Sequence, residues 1–327
     1  MDAFTSYDFD FRITLLLLAH IIALLIGGPR WLHHIILYDV PAQLWKKILS
    51  VLELKLNRPE RSACAKTVRG RIVFYVALLA CIITAIAVTS LSTFTKWGWG
   101  LELALLVYLL PSRASLLILL EIKQAVSEKD AQKTYALTYT LPTVVTKQKD
   151  IYGALRGALA FAAECIPRYV IVPALLYMGG GIIAVLIYRL MTLWADRFTN
   201  PHQQAYSASA RFWTYIISFI PYHVACIVSW LALAFVPKAS VSKASQAFSA
   251  THKGALAVKL AAFGFGLTLG GVGLKDSLGH YQTWVGNKDT GKAKVTINDL
   301  SRLIVWNAYS LALWIVILMV IAALRLQ

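Results

Sequence analysis

The first candidates for chemistry are an arginine and a glutamate within one apolar stretch. Arg156 and Glu164 are eight residues apart, about two helical turns, so a helix places them on the same side. Ionisable side chains inside membrane-length apolar sequence are energetically costly, and they are therefore candidates for function. The pair could clamp a substrate, or it could be an ion pair that only stabilises packing. The sequence leaves both interpretations open.

Three glycines and several arginines follow within or just beyond the same stretch, which runs from 152 to 196. Residues 179–181 could cradle a phosphate with backbone N–H groups. A break between two half-helices is the favoured interpretation, because broken helices recur where sites lie inside membranes. Arg189, Arg197 and Arg211 could together bind an anionic group. They could equally be flanking charge at a membrane edge.

Other signatures of catalysis and metal binding are missing. The sequence has no P-loop, no HExxH motif and no GxSxG motif. His33 and His34 are adjacent, so on a helix their side chains diverge and cannot share a metal ion, and a polar cap at the membrane interface is the favoured interpretation. The four cysteines are scattered without a CxxC pair, which disfavours a disulfide or zinc framework. No metal site is predicted.

Composition indicates an integral membrane protein. The chain has 327 residues, of which 58% are hydrophobic, and a net charge of +16. The basic residues are spread between apolar runs and are not gathered in one soluble domain, which disfavours nucleic acid as a partner. They are expected in cytoplasmic loops, beside the anionic headgroups of the lipid bilayer. We expect the bacterial inner membrane.

The elements that must position these residues are membrane helices. Apolar runs that are long enough to span the bilayer as helices predict about five full crossings. The glycine-rich run 260–274 is short and is followed by a basic loop, so a re-entrant or partly buried hairpin is favoured. The spacing of apolar residues over 44–52 predicts an amphipathic helix on the membrane surface. The fold class is an all-α polytopic membrane helix bundle, one domain over 1–327, with glycine-broken or re-entrant segments. The apolar runs outside the central stretch are 13–28, 72–91, 101–120, 212–236 and 303–324.

Short motifs in a shared order resemble the CobD/CbiB family of cobalamin-biosynthesis membrane proteins. Near the N-terminus, Gly27-Gly28-Pro29 with Trp31 and His33 is similar to the family's Gly-Asp-Pro…Trp-Pro-His-Pro. The others are Arg156-Gly157, Ala163-Glu164, Gly180-Gly181 with Tyr188, Leu269-Gly270-Gly271, Trp284-Val285-Gly286 and Asp299-Leu300-Ser301-Arg302.

The resemblance implies an adenosylcobinamide-phosphate synthase-like activity, in which ATP drives amide formation between adenosylcobyric acid and an aminopropanol phosphate. A corrinoid ligand would bind near the central helix, with Mg²⁺ held by carboxylates. Arg156 and Glu164 would be catalytic and would orient the substrate. The implied substrate-binding residues are His33, Tyr188, Arg189 and Arg302, of which Arg302 would hold phosphate.

The sequence departs from the family where carboxylates are needed. Gly28 occupies the position of the aspartate in the family's Gly-Asp-Pro. Most of the family's other acidic motif residues are also replaced by non-acidic residues in this sequence. A non-catalytic assembly or signalling protein with a membrane partner, similar in architecture to AmpE, is therefore the alternative. A transporter is disfavoured because no inverted repeat is found. Acidic side chains that could still converge beside Glu164 are Asp130, Asp150, Asp196, Asp276 and Asp299.

Overall fold

The structure is a computed structural model and its described residues are almost entirely helical. They are 2–26, 62–94, 97–110, 112–139, 141, 151–197, 207–249, 255–269, 284–286, 292 and 294–325, with helical positions at 47, 51 and 55. The predicted surface helix over 44–52 therefore lies largely outside the described residues. Among the described residues, extended pairing is limited to two isolated bridges. The all-α prediction is confirmed.

Eleven α-helices are described, together with one π-helical turn, Pro167–Ile171, and one 3-10 turn, Leu233–Phe235. The π turn joins α6 to α7, and the 3-10 turn ends α8. In chain order the helices are α1 Asp2–Ile26, α2 Ala63–Phe94, α3 Gly98–Leu109, α4 Ala114–Ser127, α5 Ala131–Tyr139, α6 Ile151–Ile166, α7 Val172–Arg197, α8 Ala208–Ala232, α9 Val241–Ser249, α10 Leu256–Phe265 and α11 Ile297–Arg325.

Four helical segments in the described part are long and apolar enough to cross a membrane. The two shortest have 28 residues and reach about 42 Å at 1.5 Å per residue, against a hydrocarbon core of about 30 Å. This identifies the chain as an integral membrane protein. The segments are Cys64–Leu91, Ile151–Ala195, Ala208–Phe235 and Ile297–Arg325.

The predicted crossing over 101–120 is wrong as a single helix. Helix α3 ends at Leu109 and α4 begins at Ala114. The residue before a proline avoids helical geometry, and Leu110, which precedes Pro111 in the sequence, has φ −109° and ψ 77°. With 12 residues, α3 reaches only about 18 Å. The first predicted crossing lies in the 25-residue α1, which is not among the four long apolar segments, so about five crossings become four in the described part.

Contacts divide the chain into two compact units. Unit one comprises Met1–Ala114, Val172–Pro221 and Ile315–Gln327. In it α1 packs on α3 and α7, and α2 packs on the same two helices. Phe74 meets Trp194 edge to face with ring centroids 5.7 Å apart, and Ala77, Met191 and Ala210 complete this core. Aromatic burial of this kind fixes the C-terminal half of α7 against α2.

Gly181 breaks α7 in unit one, as the glycine run predicts. Its φ of 64° and ψ of −163° lie in a region that is essentially restricted to glycine. The guanidinium carbon of Arg12, on α1, lies 3.6 Å from the place that a Cβ at residue 181 would occupy. A positive charge therefore sits beside the point where the helix is interrupted.

Unit two comprises Ser115–Ile171 and Tyr222–Trp314. In it α6 contacts α5 and α10, and α9 packs on α10. Helix α10 ends at Phe265, where Gly266 adopts the left-handed conformation with φ 65°. Ten residues reach only about 15 Å, so the run 260–274 does not begin as a crossing helix. Residues 270–274 lie outside the described residues.

The Gly181 break yields a stability prediction. Gly181→Ala should lower the free energy of unfolding by about 1–3 kcal/mol, because an L-residue is strained in this conformation. The matched control is Gly179→Ala, since a Cβ there meets nothing within 4 Å. The measurement is denaturant unfolding of the detergent-solubilised protein followed by circular dichroism. Equal stabilities for the two variants would contradict the assigned backbone geometry.

Candidate functional site

A buried ion pair lies in unit two, on the central apolar segment. Arg168 Nη1 is 3.6 Å from Glu164 Oε2, and the two side chains are 4% and 1% exposed. The residues are four apart, so they lie on one face of the helix. Removing two charges from water has a large desolvation penalty that a packed apolar pair would avoid. Such a pair inside a membrane-length segment is a candidate functional feature.

Two prolines bracket the turn that carries Arg168. Pro167 lacks the N–H that would donate to the carbonyl of Ala163, and Pro173 lacks the N–H that would donate to that of Tyr169. Between them the chain forms a π-helical turn over Pro167–Ile171. Turns of this kind are rare and occur frequently at functional sites. The two prolines therefore flank a distorted helical turn, and Arg168 of the ion pair lies in that turn.

Two side chains of α8, half-buried Tyr222 and buried Cys226, complete what we call the polar cluster, defined as Glu164, Arg168, Tyr222 and Cys226. The Tyr222 hydroxyl accepts a hydrogen bond from the backbone N–H of Ala257 at 3.3 Å. It is within hydrogen-bonding reach of the Cys226 thiol, and both charged residues are close enough to interact with it electrostatically. The cluster thus links α6, α8 and α10 inside unit two.

Arg156 has a different partner from Glu164. Its guanidinium lies over the ring of Trp284, 5.1 Å from the ring centroid, a cation–π geometry. Glu164 instead pairs with Arg168. The structure therefore separates the two residues that helical spacing groups together. Whether either residue is catalytic stays a prediction.

Backbone pairing fixes the position of Trp284. Its neighbour Val285 exchanges two hydrogen bonds with Leu269, at 2.7 and 2.8 Å. Gly286 has φ 125°, and a Cβ at this position would run into the carbonyl of Leu267. Only glycine allows the two backbones to approach so closely. The Trp-Val-Gly motif is thereby held against the residues that follow α10.

Arg302, which is predicted to bind phosphate, donates hydrogen bonds to backbone carbonyls in this structure. Its Nη2 donates to the carbonyl of Lys238 at 2.5 Å and to that of Pro237 at 3.5 Å. The guanidinium also lies 4.9 Å from the centroid of the Phe265 ring. It thus ties α11 to the loop after α8, within unit two. Phosphate binding by Arg302 stays a prediction.

The other predicted substrate-binding residues fall elsewhere. Tyr188 is fully buried and Arg189 half-buried, and both belong to the part of α7 in unit one. Arg156, Glu164 and Arg302 belong to unit two. His33 lies outside the described residues.

The described aspartates that could hold a metal ion act as helix caps. Asp130 accepts a hydrogen bond from the backbone N–H of Lys133 at 2.9 Å, at the start of α5. Asp299 accepts from the backbone and hydroxyl of Thr296 at 2.8 and 2.7 Å, at the start of α11. Both geometries satisfy N-terminal helix donors. The side chains of Asp150, Asp196 and Asp276 lie outside the described part.

A magnesium–nucleotide pair does not fit the residues that are described. Mg²⁺ requires oxygen donors, several of them from carboxylates and phosphates. Within the described ranges, no three His, Cys, Asp or Glu side chains group closely enough to hold a metal ion. Of the two carboxylate residues that are buried in the described part, Glu164 pairs with Arg168, and Asp299 pairs with Lys292 at 3.2 Å.

Sequence reasoning grouped Arg156 with Glu164 and missed Arg168, Tyr222 and Cys226. Two local signals were present in the sequence. Arg168 follows Glu164 by four residues, and Cys226 follows Tyr222 by four, so each pair shares a helix face. No local signal relates the first pair to the second, because the two pairs come close only through the tertiary fold.

The ion pair yields a second stability prediction. Glu164→Leu should lower the free energy of unfolding by about 3–5 kcal/mol, because it leaves Arg168 buried without its countercharge. The double variant Glu164→Leu/Arg168→Met should recover most of that loss. Chemical denaturation in detergent measures both, with exposed Arg71→Met as the control for removal of one positive charge. A double variant as unstable as the single one would rule out an electrostatic origin.

No model of a known protein family matches this chain, and no curated protein or solved structure matches it either. Function is therefore inferred from the sequence motifs and from the geometry of unit two.

Proposed function

We propose that this chain is a CobD/CbiB-like protein of the bacterial inner membrane that acts in cobalamin assembly. The proposed reaction is the joining of adenosylcobyric acid to an aminopropanol phosphate, an adenosylcobinamide-phosphate synthase-like amide formation. The observation that carries the proposal is the contact between Arg156 and Trp284. It joins the Arg-Gly motif of the central helix to the Trp-Val-Gly motif far along the chain.

Residues of three further motifs of the resemblance also belong to unit two. Leu269, from the Leu-Gly-Gly motif, pairs with Val285 of the Trp-Val-Gly motif. The first turns of α11 carry the Asp-Leu-Ser-Arg motif, and Asn307 of the same helix donates to the carbonyl of Ala162 at 2.8 Å. Ala162 directly precedes Ala163-Glu164. Motifs that are distant in sequence and adjacent in a fold are typical of a shared site.

The residues present define what this chain would contribute. Arg156 remains charged at all physiological pH values and offers parallel N–H donors, so it would hold a carboxylate or phosphate oxygen pair of a substrate. Glu164 is fixed by Arg168, and its role would be to keep the central helix in register. When bound, ATP would supply the activation that amide formation needs. The described carboxylates offer no place for a magnesium–nucleotide pair, so its donors would come from outside the described residues.

Product formation tests the proposal. Membranes containing the protein, supplied with adenosylcobyric acid, aminopropanol phosphate, Mg²⁺ and ATP, should form adenosylcobinamide phosphate, detected by mass spectrometry. Arg156→Met should lower the rate about ten- to a hundredfold, equivalent to one lost charge-assisted contact of about 1.5–3 kcal/mol. Arg71→Met should leave it unchanged. Membranes that form no more product than vector controls would refute the proposal.

A non-catalytic assembly protein is the second candidate, and a specific observation favours it. Asp130 and Asp299, the acidic candidates with described side chains, stabilise helix starts. The fold would then present its basic loops to a membrane partner or to anionic lipid, as in the AmpE-like alternative.

Purification distinguishes this second candidate. From a mild detergent, the protein should co-purify with one stoichiometric membrane protein. The complex should survive high salt if apolar helix contacts hold it, because salt screens only exposed charges. Size-exclusion chromatography with mass spectrometry measures this. A lone monomer, or product formation by the purified chain alone, would count against the candidate.

A further inference from the structure

The guanidinium of Arg156 is held in place without a countercharge in the described part of the chain. Arg156 is half-buried, between the buried residues Leu155 and Gly157. Its Nε is shielded from solvent and meets no hydrogen-bond acceptor among the described residues. Buried donors in folded proteins almost always have a partner. The unmet Nε donor and the full positive charge therefore point to an acceptor supplied from outside the described residues.

Three other described arginines have oxygen acceptors within the protein. Arg113 donates to the carbonyl of Leu24 at 2.6 Å, and Arg302 donates to two carbonyls after α8. Arg168 has the carboxylate of Glu164. Arg156 contacts an aromatic ring, which attracts the positive charge but offers no oxygen lone pair to its N–H groups.

Trp284 sets the orientation of the guanidinium. The ring is anchored through its neighbour Val285, which pairs with Leu269, and through the close approach of Gly286 to Leu267. It is 44% exposed, so its surroundings are open on one side. The ring lies on one side of the guanidinium, and the N–H groups of arginine lie along the edge of its plane. That edge suits two parallel hydrogen bonds to one oxyanion.

We propose that Arg156, stacked on Trp284, forms a binding site for an oxyanion with two accessible oxygens, as found in a phosphate ester or a carboxylate. Trp284 is a positioning residue that acts through Arg156. The inference rests on the proposed function in that the same arginine would receive the substrate's anionic group. It concerns binding only, so the site exists whether or not the chain forms the amide bond.

Two sources supply such an anion, a soluble phosphate and the headgroup of an anionic phospholipid. The first arm of the experiment uses the full-length protein in detergent and titrates inorganic phosphate, acetate or chloride at constant ionic strength. Thermal unfolding of the wild type should shift upward with phosphate or acetate and not with chloride, because a ligand that binds the folded state stabilises it. The second arm measures, by native mass spectrometry, anionic phospholipid retained after purification.

Matched variants decide the inference. Arg156→Met should abolish the phosphate shift or the retained lipid, whichever the wild type shows, and Arg71→Met should preserve it. Trp284→Phe keeps a ring and should bind within about threefold of the wild type, whereas Trp284→Ala should bind about tenfold more weakly, a difference of about 1.4 kcal/mol. Circular dichroism of each variant without ligand identifies any that fails to fold, and Arg156→Lys, which keeps the charge, then replaces Arg156→Met.

Three results would contradict the proposed site. One is the absence of both a phosphate or acetate shift and retained lipid in the wild type. Another is equal binding by the wild type and Arg156→Met. A third is equal binding by Trp284→Ala and Trp284→Phe, which would remove Trp284 as a positioning residue. Anion binding together with a failed synthase assay would refute only the proposed reaction, and product formation without any effect of Arg156→Met on binding would refute only the site.

Discussion

The structure depends on one constraint, which is that backbone carbonyls and N–H groups inside a membrane must find partners within the protein. Arginine lies at three described places where a helix stops or bends. Arg113 donates to Leu24 near the end of α1, and Arg302 donates to carbonyls just beyond α8. Arg12 lies beside the break at Gly181. A guanidinium suits these places because it carries several donors, and its positive charge faces the negative end of a helix.

The same constraint shapes unit two around the π-helical turn. Prolines at 167 and 173 remove two N–H groups from one helix. Side chains of α11 anchor the surrounding backbone, with Trp306 donating to the carbonyl of Ser229 at 2.6 Å and Asn307 to that of Ala162 at 2.8 Å. Each hydrogen bond joins distant parts of the chain in an apolar setting, where a buried polar group without a partner would lower the stability of the fold. The distortion that carries Arg168 is therefore supported from outside the helix.

The described acidic side chains have structural roles in this fold, whereas Arg156 is the candidate for binding. The acidic groups Asp130, Glu164 and Asp299 have partners within the protein, two at helix starts and one in a buried ion pair. Arg156 and Arg302 both rest on aromatic rings, but Arg302 also donates to backbone carbonyls, whereas the contact described for Arg156 is the ring of Trp284. A site organised around a positive group recognises anions. The two proposed functions, a synthase and an assembly protein, differ in whether a nucleotide is also handled.

The sequence by itself determined the membrane class, the helical fold, the break at residues 179–181 and the failure of the run 260–274 to begin as a crossing helix. These follow from apolar run length and from the backbone freedom of glycine, which are local properties. Pro111 was an available local signal for the split in the run 101–120, and the length of the run outweighed it. Only the tertiary structure decided that the Glu164–Arg168 pair lies near Tyr222 and Cys226, and that Arg156 rests on Trp284. Such contacts join segments far apart in the chain, and their geometry is set by helix packing, which helical spacing along one segment does not encode.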